Sequence, residues 1–469
     1  MTTDLAAPGL AVGREAVEGR VSVSTPALAA RRRAAWDLYE ELPPPDSRTD
    51  EDWRRTPLRG LTPEAYISDP GPTDHGAALV AALRALRDEI DPGAAFVAST
   101  RNGVRTVEGT ALLEAQGVTV TSLDDAAGDH GVALARALAL VDAQAARRDG
   151  HGAARWLALW NALWRGGVFV HVPAGVEARV PVVAAHSAGG DSPAIFPATV
   201  AVLEPRSSLT LVEVHASPAG DAPLLSDAVT ALVLGDGARL DHCVLQRLGA
   251  GAWHMAVHRT SLGRDAQLRQ FVATLGSRLQ KVYVEALLDG QGSDARIGGV
   301  AFGAGTQHID QQSLQAHRAP RTTSDLFLKV AVRDRATSVY SGLIDVAEGA
   351  QQMNGYVQNR NLMLSRGARA TGIPRLEIRA DDVRCSHGVT AGHVDDEQRF
   401  YLRSRGVAPE DADRIIVRGF MQDAVDRCPH AGFAETVGRL LDEAVDGAVL
   451  AGVAAAEPAT PRGGTDGAP

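Results

Sequence analysis

The chain has 469 residues, 45% of them hydrophobic, enough to bury a large core and more than one structural unit. A net charge of −10 argues against a basic nucleic-acid-binding surface, and the scarcity of lysine, present only at Lys281 and Lys329 among 47 basic residues, reads as genome composition rather than chemistry. Three cysteines are too few for a disulfide scaffold, no uncharged run is long enough to span a bilayer, and the start MTTDLAAPGL lacks the pattern of a signal peptide. A reduced, soluble, cytoplasmic protein without nucleic-acid or membrane partners is therefore expected.

Residues 1–165 read as a mainly helical region. After a loose start to residue 23, Thr25-Pro26 opens a helix that Pro43-Pro44-Pro45 stops. The loop DEDWRRTPLRGL follows, and then GAALVAALRALRDEI places Leu79, Leu83, Leu86 and Ile90 on one helical face. A strand-like patch, AAFVAST then VRTVEG, precedes two helices near 131–148 and 152–165. In the second, Trp156, Leu159, Trp160, Leu163 and Trp164 form a stripe better suited to helix packing than to stacking on a cofactor.

Residues 166–394 change texture. Short β-prone runs such as VFVHVPAG, ATVAVLEP, LTLVEVHA and KVYVEALLDG alternate with Gly, Asp and Pro turns. Aligning Ser208, Ala238, Ala266 and Ala295 gives steps of 30, 28 and 29 residues. A steady repeat with several short strands and no long helix predicts a β-solenoid in preference to a two-sheet sandwich. The Gln-rich segment HIDQQSLQAH, holding His308 and His317, reads as polar turns of that solenoid.

Residues 395–452 read as a C-terminal helical domain. Asp395 or Asp396 caps DDEQRFYLRSR, Pro409 opens a second helix that ends before Pro429, and a third covers roughly 432–449. Residues 453–469 read as a disordered tail.

Candidate chemistry concentrates where strands give way to helices, in RADDVRCSHGVTAGHVDDEQ. In a strand, Cys385 and His387 share a face, and a thiolate beside an imidazole suits a soft metal or an iron–sulfur species. Two ligands do not close a site, so spacing alone favours a packed cysteine and a hydrogen-bonded histidine. Other candidates are weaker. His242 and Cys243 are adjacent and face opposite sides of a strand. His254 and His258 have helical spacing in a strand-like segment, and Cys428-Pro429-His430 reads as a helix stop. No phosphate-binding G-x-x-x-x-G-K-[ST] loop occurs, so ATP-driven work needs a partner ATPase.

The run from Ser341 to Gly406 resembles the SufB/SufD family of iron–sulfur assembly proteins. Its marks are NGYVQNRNLMLS followed by PRLEIRADDVRCSHG. The resemblance extends over about 165–450, and DEDWRRTPLRGL is also SufD-like. His387 followed by Gly388-Val389-Thr390, and the segment YLRSRG, match SufD better than SufB, a SufB-like paralogue being the alternative. The resemblance implies a right-handed parallel β-helix flanked by helical regions, in a non-catalytic scaffold that pairs with SufB and docks the ATPase SufC. It implies that His387, as a metal ligand, and Cys385 meet a transient iron–sulfur cluster at the SufB interface. It implies that Ile415, Ile416, Phe420 and Met421 engage SufC, that reduced flavin accompanies some complexes, and that the isolated chain forms a homodimer. A polysaccharide-active β-helix enzyme fits less well, since acidic residues sit largely in turns. A stand-alone β-helix metalloprotein would have to rely on Cys385, His387 and His393.

Overall fold

A computed structural model describes residues 9–69, 76–100, 103–142, 151–189, 192–218 and 220–446. The tail expected at 453–469 lies outside the described residues, as does the end of the helix expected to reach 148.

Two ten-stranded sheets dominate, and the chain alternates between them. From Val168 onward each long strand pairs in parallel with the strand two places later in sequence, skipping the one between. That connectivity is a parallel β-solenoid, the fold class the repeat predicted. The first sheet runs from Val182–Ser187 through Ser208–Ala216, Arg239–Arg247, Gln267–Thr274, Asp294–Gly303, Thr323–Val332 and Asn354–Met363 to Arg384–His393. The second runs from Val168–Val172 through Ala198–Leu203, Leu224–Leu234, Ala252–Leu262, Leu279–Leu288, His308–His317 and Thr337–Val346 to Arg369–Ile378.

The repeat register departs from the small-residue alignment by one residue at the first step and by two at the third, and agrees at the second. Ser208 lies opposite Arg239, Arg239 opposite Gln267, and Gln267 opposite Asp294, giving steps of 31, 28 and 27 residues. The fixed marker is conformational. Arg206, Gly237, Asp265 and Gly292 all have positive φ (59°, 69°, 54° and 76°), and each stands two residues before its strand. This left-handed corner turns the chain into the next strand. Glycine adopts it freely, whereas Arg206 and Asp265 pay roughly 1 kcal/mol for it.

HIDQQSLQAH is a strand, not a set of turns. Several of its polar side chains find neighbours: Gln312 Nε2 donates to Asp310 at 2.6 Å, the Ser313 and Tyr340 hydroxyls lie 2.8 Å apart, and His317 Nε2 lies 2.8 Å from Ser324 Oγ. Strand backbone is compatible with polar residues wherever such partners exist.

Strand alternation sends one set of side chains into the solenoid interior, where Leu211, Leu240, Leu268, Ile297 and Leu326 pack. The opposite set packs under helices. Pro26–Glu41 and His151–Leu163 cover the second sheet, and Trp160 Nε1 donates to the Pro197 carbonyl at 2.8 Å, so the tryptophan stripe is packing. Gly76–Ile90, Pro409–Val425 and Ala431–Val445 cover the first sheet, with Leu83, Phe433 and Val437 packing near Phe271 and Phe302. The N-terminal region also supplies strands: Ala95–Thr100 joins the first sheet in parallel, and Gly103–Glu108 and Thr119–Ser122 end the two sheets antiparallel. The loop DEDWRR is clamped by a buried ion pair. Lys281 Nζ lies 2.7 Å from Asp310, donates to the Asp52 carbonyl at 2.6 Å and sits 4.7 Å from the Trp53 ring centre.

Candidate functional site at the open end of the solenoid

The solenoid stops differently at its two ends. At the C-terminal end, Arg369–Ile378 and Arg384–His393 are the last strands of their sheets, and no further strand pairs with them among the described residues. Register places Cys385 opposite Gly355 and His387 opposite Val357. Val357 is buried in the interior cluster, and paired residues of a parallel ladder face the same side. Cys385 and His387 therefore point along the interior face at the solenoid's mouth. Cys385 is half-buried against the interior cluster, and burial pushes its thiol up from the usual range. His387 is exposed because no further turn covers it.

Opposite them, Gly372 makes room for Val389. A Cβ on Gly372 would lie 2.2 Å from Val389 Cγ1, closer than any side-chain contact allows, so this glycine lets the last two strands close together. Ile378, on the interior-facing register of its strand, is 42% exposed. The helix Asp396–Ser404 follows directly, capped by the Asp395 side chain, which accepts from Glu397 N at 2.8 Å. None of its residues is buried, and Phe400 is 74% exposed. His393, at the end of the last strand, is also exposed. Among the described residues no group of three or more His, Cys, Asp or Glu side chains is arranged to hold a metal ion. Cys385 and His387 thus stand together on this strand edge, with no third His, Cys, Asp or Glu grouped with them among the described residues.

The residues expected to meet an ATPase lie on Pro409–Val425 in different settings. Ile415 is exposed and Ile416 half-buried. Phe420 is half-buried beneath Lys329, whose ammonium lies 4.6 Å from the ring centre and donates to the Phe420 carbonyl. Met421 is buried against the solenoid and belongs to the core that holds the helix down.

The structure also brings together polar residues that sequence spacing did not connect. Inside the solenoid, His186, Glu213, His215, His242, His254 and His258 are all buried. Glu213 accepts from His215 Nε2 at 2.7 Å and from Thr230 Oγ1 at 2.8 Å, with His242 Nε2 at 3.4 Å. Burial opposes ionisation of Glu213, but these imidazoles outweigh it and hold the carboxyl well below the usual range. His186 lies 2.9 Å from Thr199 Oγ1, and His254 lies 3.1 Å from Ser226 Oγ. Burial lowers His186 and His258 to about 3 and His254 well below its ordinary value, keeping all three neutral. His254 and His258 share the interior face because residues four apart on a strand do so; the helical spacing carried no information. His242 faces this cluster while Cys243 faces the covering helices, as adjacency on a strand requires.

A family model described as SUF system FeS cluster assembly, SufBD core domain, matches residues 185–420. The chain is 27% identical to the iron–sulfur cluster assembly protein SufD of Escherichia coli over 399 residues, 83% of this chain and 87% of that protein. It is 25% identical to SufB of Bacillus subtilis over 295 residues, 63% of each chain, so the match spans less than two thirds of that relative. SufD of Bacillus subtilis is 28% identical over 292 residues, 61% of this chain and 66% of that protein. With just over half of its length matched by the family model, and with the parallel solenoid carrying that match, the chain belongs to the SufB/SufD family of iron–sulfur cluster assembly proteins.

Proposed function

We propose that this chain is the SufD-type scaffold subunit of an iron–sulfur assembly complex. It pairs with a SufB-like solenoid end to end and docks a SufC-type ATPase on its C-terminal helices. The observation that carries the reading is the solenoid end left uncapped among the described residues, where two strand edges, the half-buried Cys385 and the exposed His387 lie together. Free strand edges recruit further strands. A second parallel solenoid docking there would continue both sheets and bring its own ligands opposite His387. The nascent cluster is then cargo held between two chains, and neither chain alone needs a full ligand set. The SufD assignment is supported by the longer reach of the match to Escherichia coli SufD. When isolated, the chain satisfies the same edges with a second copy of itself. ATP turnover and reduced flavin, where present, belong to the assembled complex.

Complementation of a SufD-deficient strain tests the reading, with assembly followed by size-exclusion chromatography. His387→Ala should leave the complex assembled and reduce cluster formation in vivo, because neutral imidazole ligates iron and alanine does not. Cys385→Ser should be milder, since the partner supplies the main thiolate. Full activity of His387→Ala would remove the ligand role and leave a packed corner.

A further inference from the structure

Cys243 and Cys428 stand 185 residues apart in sequence, yet their Sγ atoms lie 3.8 Å apart. Cys243 is fully buried on the outer face of Arg239–Arg247, among the residues that pack under the C-terminal helices. Cys428 is only partly buried, in the short link between Pro409–Val425 and Ala431–Val445. The link is held in place. Cys428 N donates to the Val425 carbonyl at 2.9 Å, and His430 Nδ1 accepts from Phe433 N at 3.1 Å to cap the last helix. The two thiols are thus a fixed pair, one reachable from solvent and one behind it. They join the middle of the solenoid to the C-terminal helical pair. Forming a disulfide requires the sulfurs to approach by only about 1.8 Å, within reach of side-chain rotation and a small shift of the link.

We propose that Cys428 and Cys243 form a reversible, peroxide-driven disulfide that locks the C-terminal helices onto the solenoid. The roles follow from position. Cys428 is reached first by oxidant, and its thiol is lowered by the bond from Cys243, against an opposing effect of burial, whereas burial pushes Cys243 up. The Cys428 thiolate attacks hydrogen peroxide; the S–O bond forms, the O–O bond breaks, and the departing hydroxide takes a proton to become water. Cys428 is then a sulfenic acid. The Cys243 sulfur attacks it; the S–S bond forms, the S–O bond breaks, and the leaving hydroxide takes the Cys243 proton as a second water. Two thiols are oxidised by two electrons and one peroxide is reduced to two waters. A reduced dithiol reverses the bond by exchange.

The test uses the full chain, reduced and then exposed to hydrogen peroxide, alkylated and mapped by mass spectrometry without reduction. The expected result is a cross-linked peptide pair containing Cys243 and Cys428 in most molecules, with Cys385 still alkylated, reversed by dithiothreitol. In Cys243→Ala the cross-link should vanish and Cys428 should be trapped by dimedone as the sulfenic acid. In Cys428→Ser, Cys243 should stay reduced at the same peroxide dose. Limited proteolysis should release the C-terminal helices several-fold more slowly from the oxidised wild type than from the reduced one, and equally in both states of the variants. Over-oxidation of Cys428 with Cys243 left free would overturn the pairing. Unchanged proteolysis of the cross-linked chain would overturn the lock.

Discussion

Lowering the pH from 7 to 5 should destabilise this protein through the solenoid interior. His186 and His258 are fully buried and held neutral by burial, at about 3 against an ordinary value near 6.5. The unfolded chain therefore binds protons below about 6.5 that the folded chain refuses, and stability falls as pH drops through that window until about 3. Each such histidine costs about 1.4 kcal/mol per pH unit once well below 6.5, so about 2 kcal/mol by pH 5 and about 4 kcal/mol for the pair. Glu213 acts in the same direction, because its folded carboxyl is depressed, but only below the usual carboxylate range near 4.3. With an unfolding entropy of about 2.1 cal/mol/K per residue, a chain of this length loses about 1 °C per kcal/mol, so a Tm drop of about 4 °C is attributable to the pair. Circular dichroism melts at pH 7, 6 and 5 measure it, with His258→Gln as the comparison. The glutamine does not titrate, so the variant's Tm should fall by about half as much from this source whatever its starting value. Equal slopes for variant and wild type would refute the claim that this imidazole is held neutral.

Lys281→Met should cost about 3–5 kcal/mol, since it leaves Asp310 charged and buried without its partner, and Lys281→Met with Asp310→Leu should recover most of the loss in chemical denaturation. Ile415→Asp should weaken ATPase binding in a pull-down while leaving the melt unchanged, because Ile415 is exposed. Phe420→Asp should lower both, because its ring also packs beneath Lys329. Gly372→Val should force Val389 away and cost about 1–3 kcal/mol locally. Its far-UV spectrum should stay native while pairing with a SufB-like chain, read by size-exclusion chromatography, is lost.

The solenoid was legible because each turn repeats one pattern of strand and corner, and the Cys385–His387 motif was legible because a strand puts alternate residues on one face. The register slipped by one residue at the first step and by two at the third because its marker is a left-handed backbone conformation. Arg206, Gly237, Asp265 and Gly292 share that conformation without sharing a side chain. The interior Glu213–histidine cluster was not legible, since its members come from strands far apart in sequence and meet only when the coil closes. Cys243 and Cys428 were hidden for the same reason. The strand at HIDQQSLQAH was misread because polar residues signal turns only where no buried partners await them. The resemblance implies that Met421 engages SufC, whereas the structure buries it against the chain's own first sheet, a distinction that a motif match does not carry.

The asymmetry of the coil explains why one end is the interesting one. At the N-terminal end, Gly103–Glu108 and Thr119–Ser122 run antiparallel to the strands they pair with, so the parallel winding is broken within the chain itself. A second parallel coil cannot continue the same ladder there. At the C-terminal end the last two strands keep the parallel register through Met363 opposite His393 and Val346 opposite Ile378. The winding is interrupted there only by the end of the repeat. The half-covered Ile378, the unburied helix Asp396–Ser404 and the pair Cys385–His387 then follow from one cause, a missing next turn. Among the described residues the parallel ladder is left unfinished, which keeps the edge complementary to another parallel coil and places Cys385 and His387 on it.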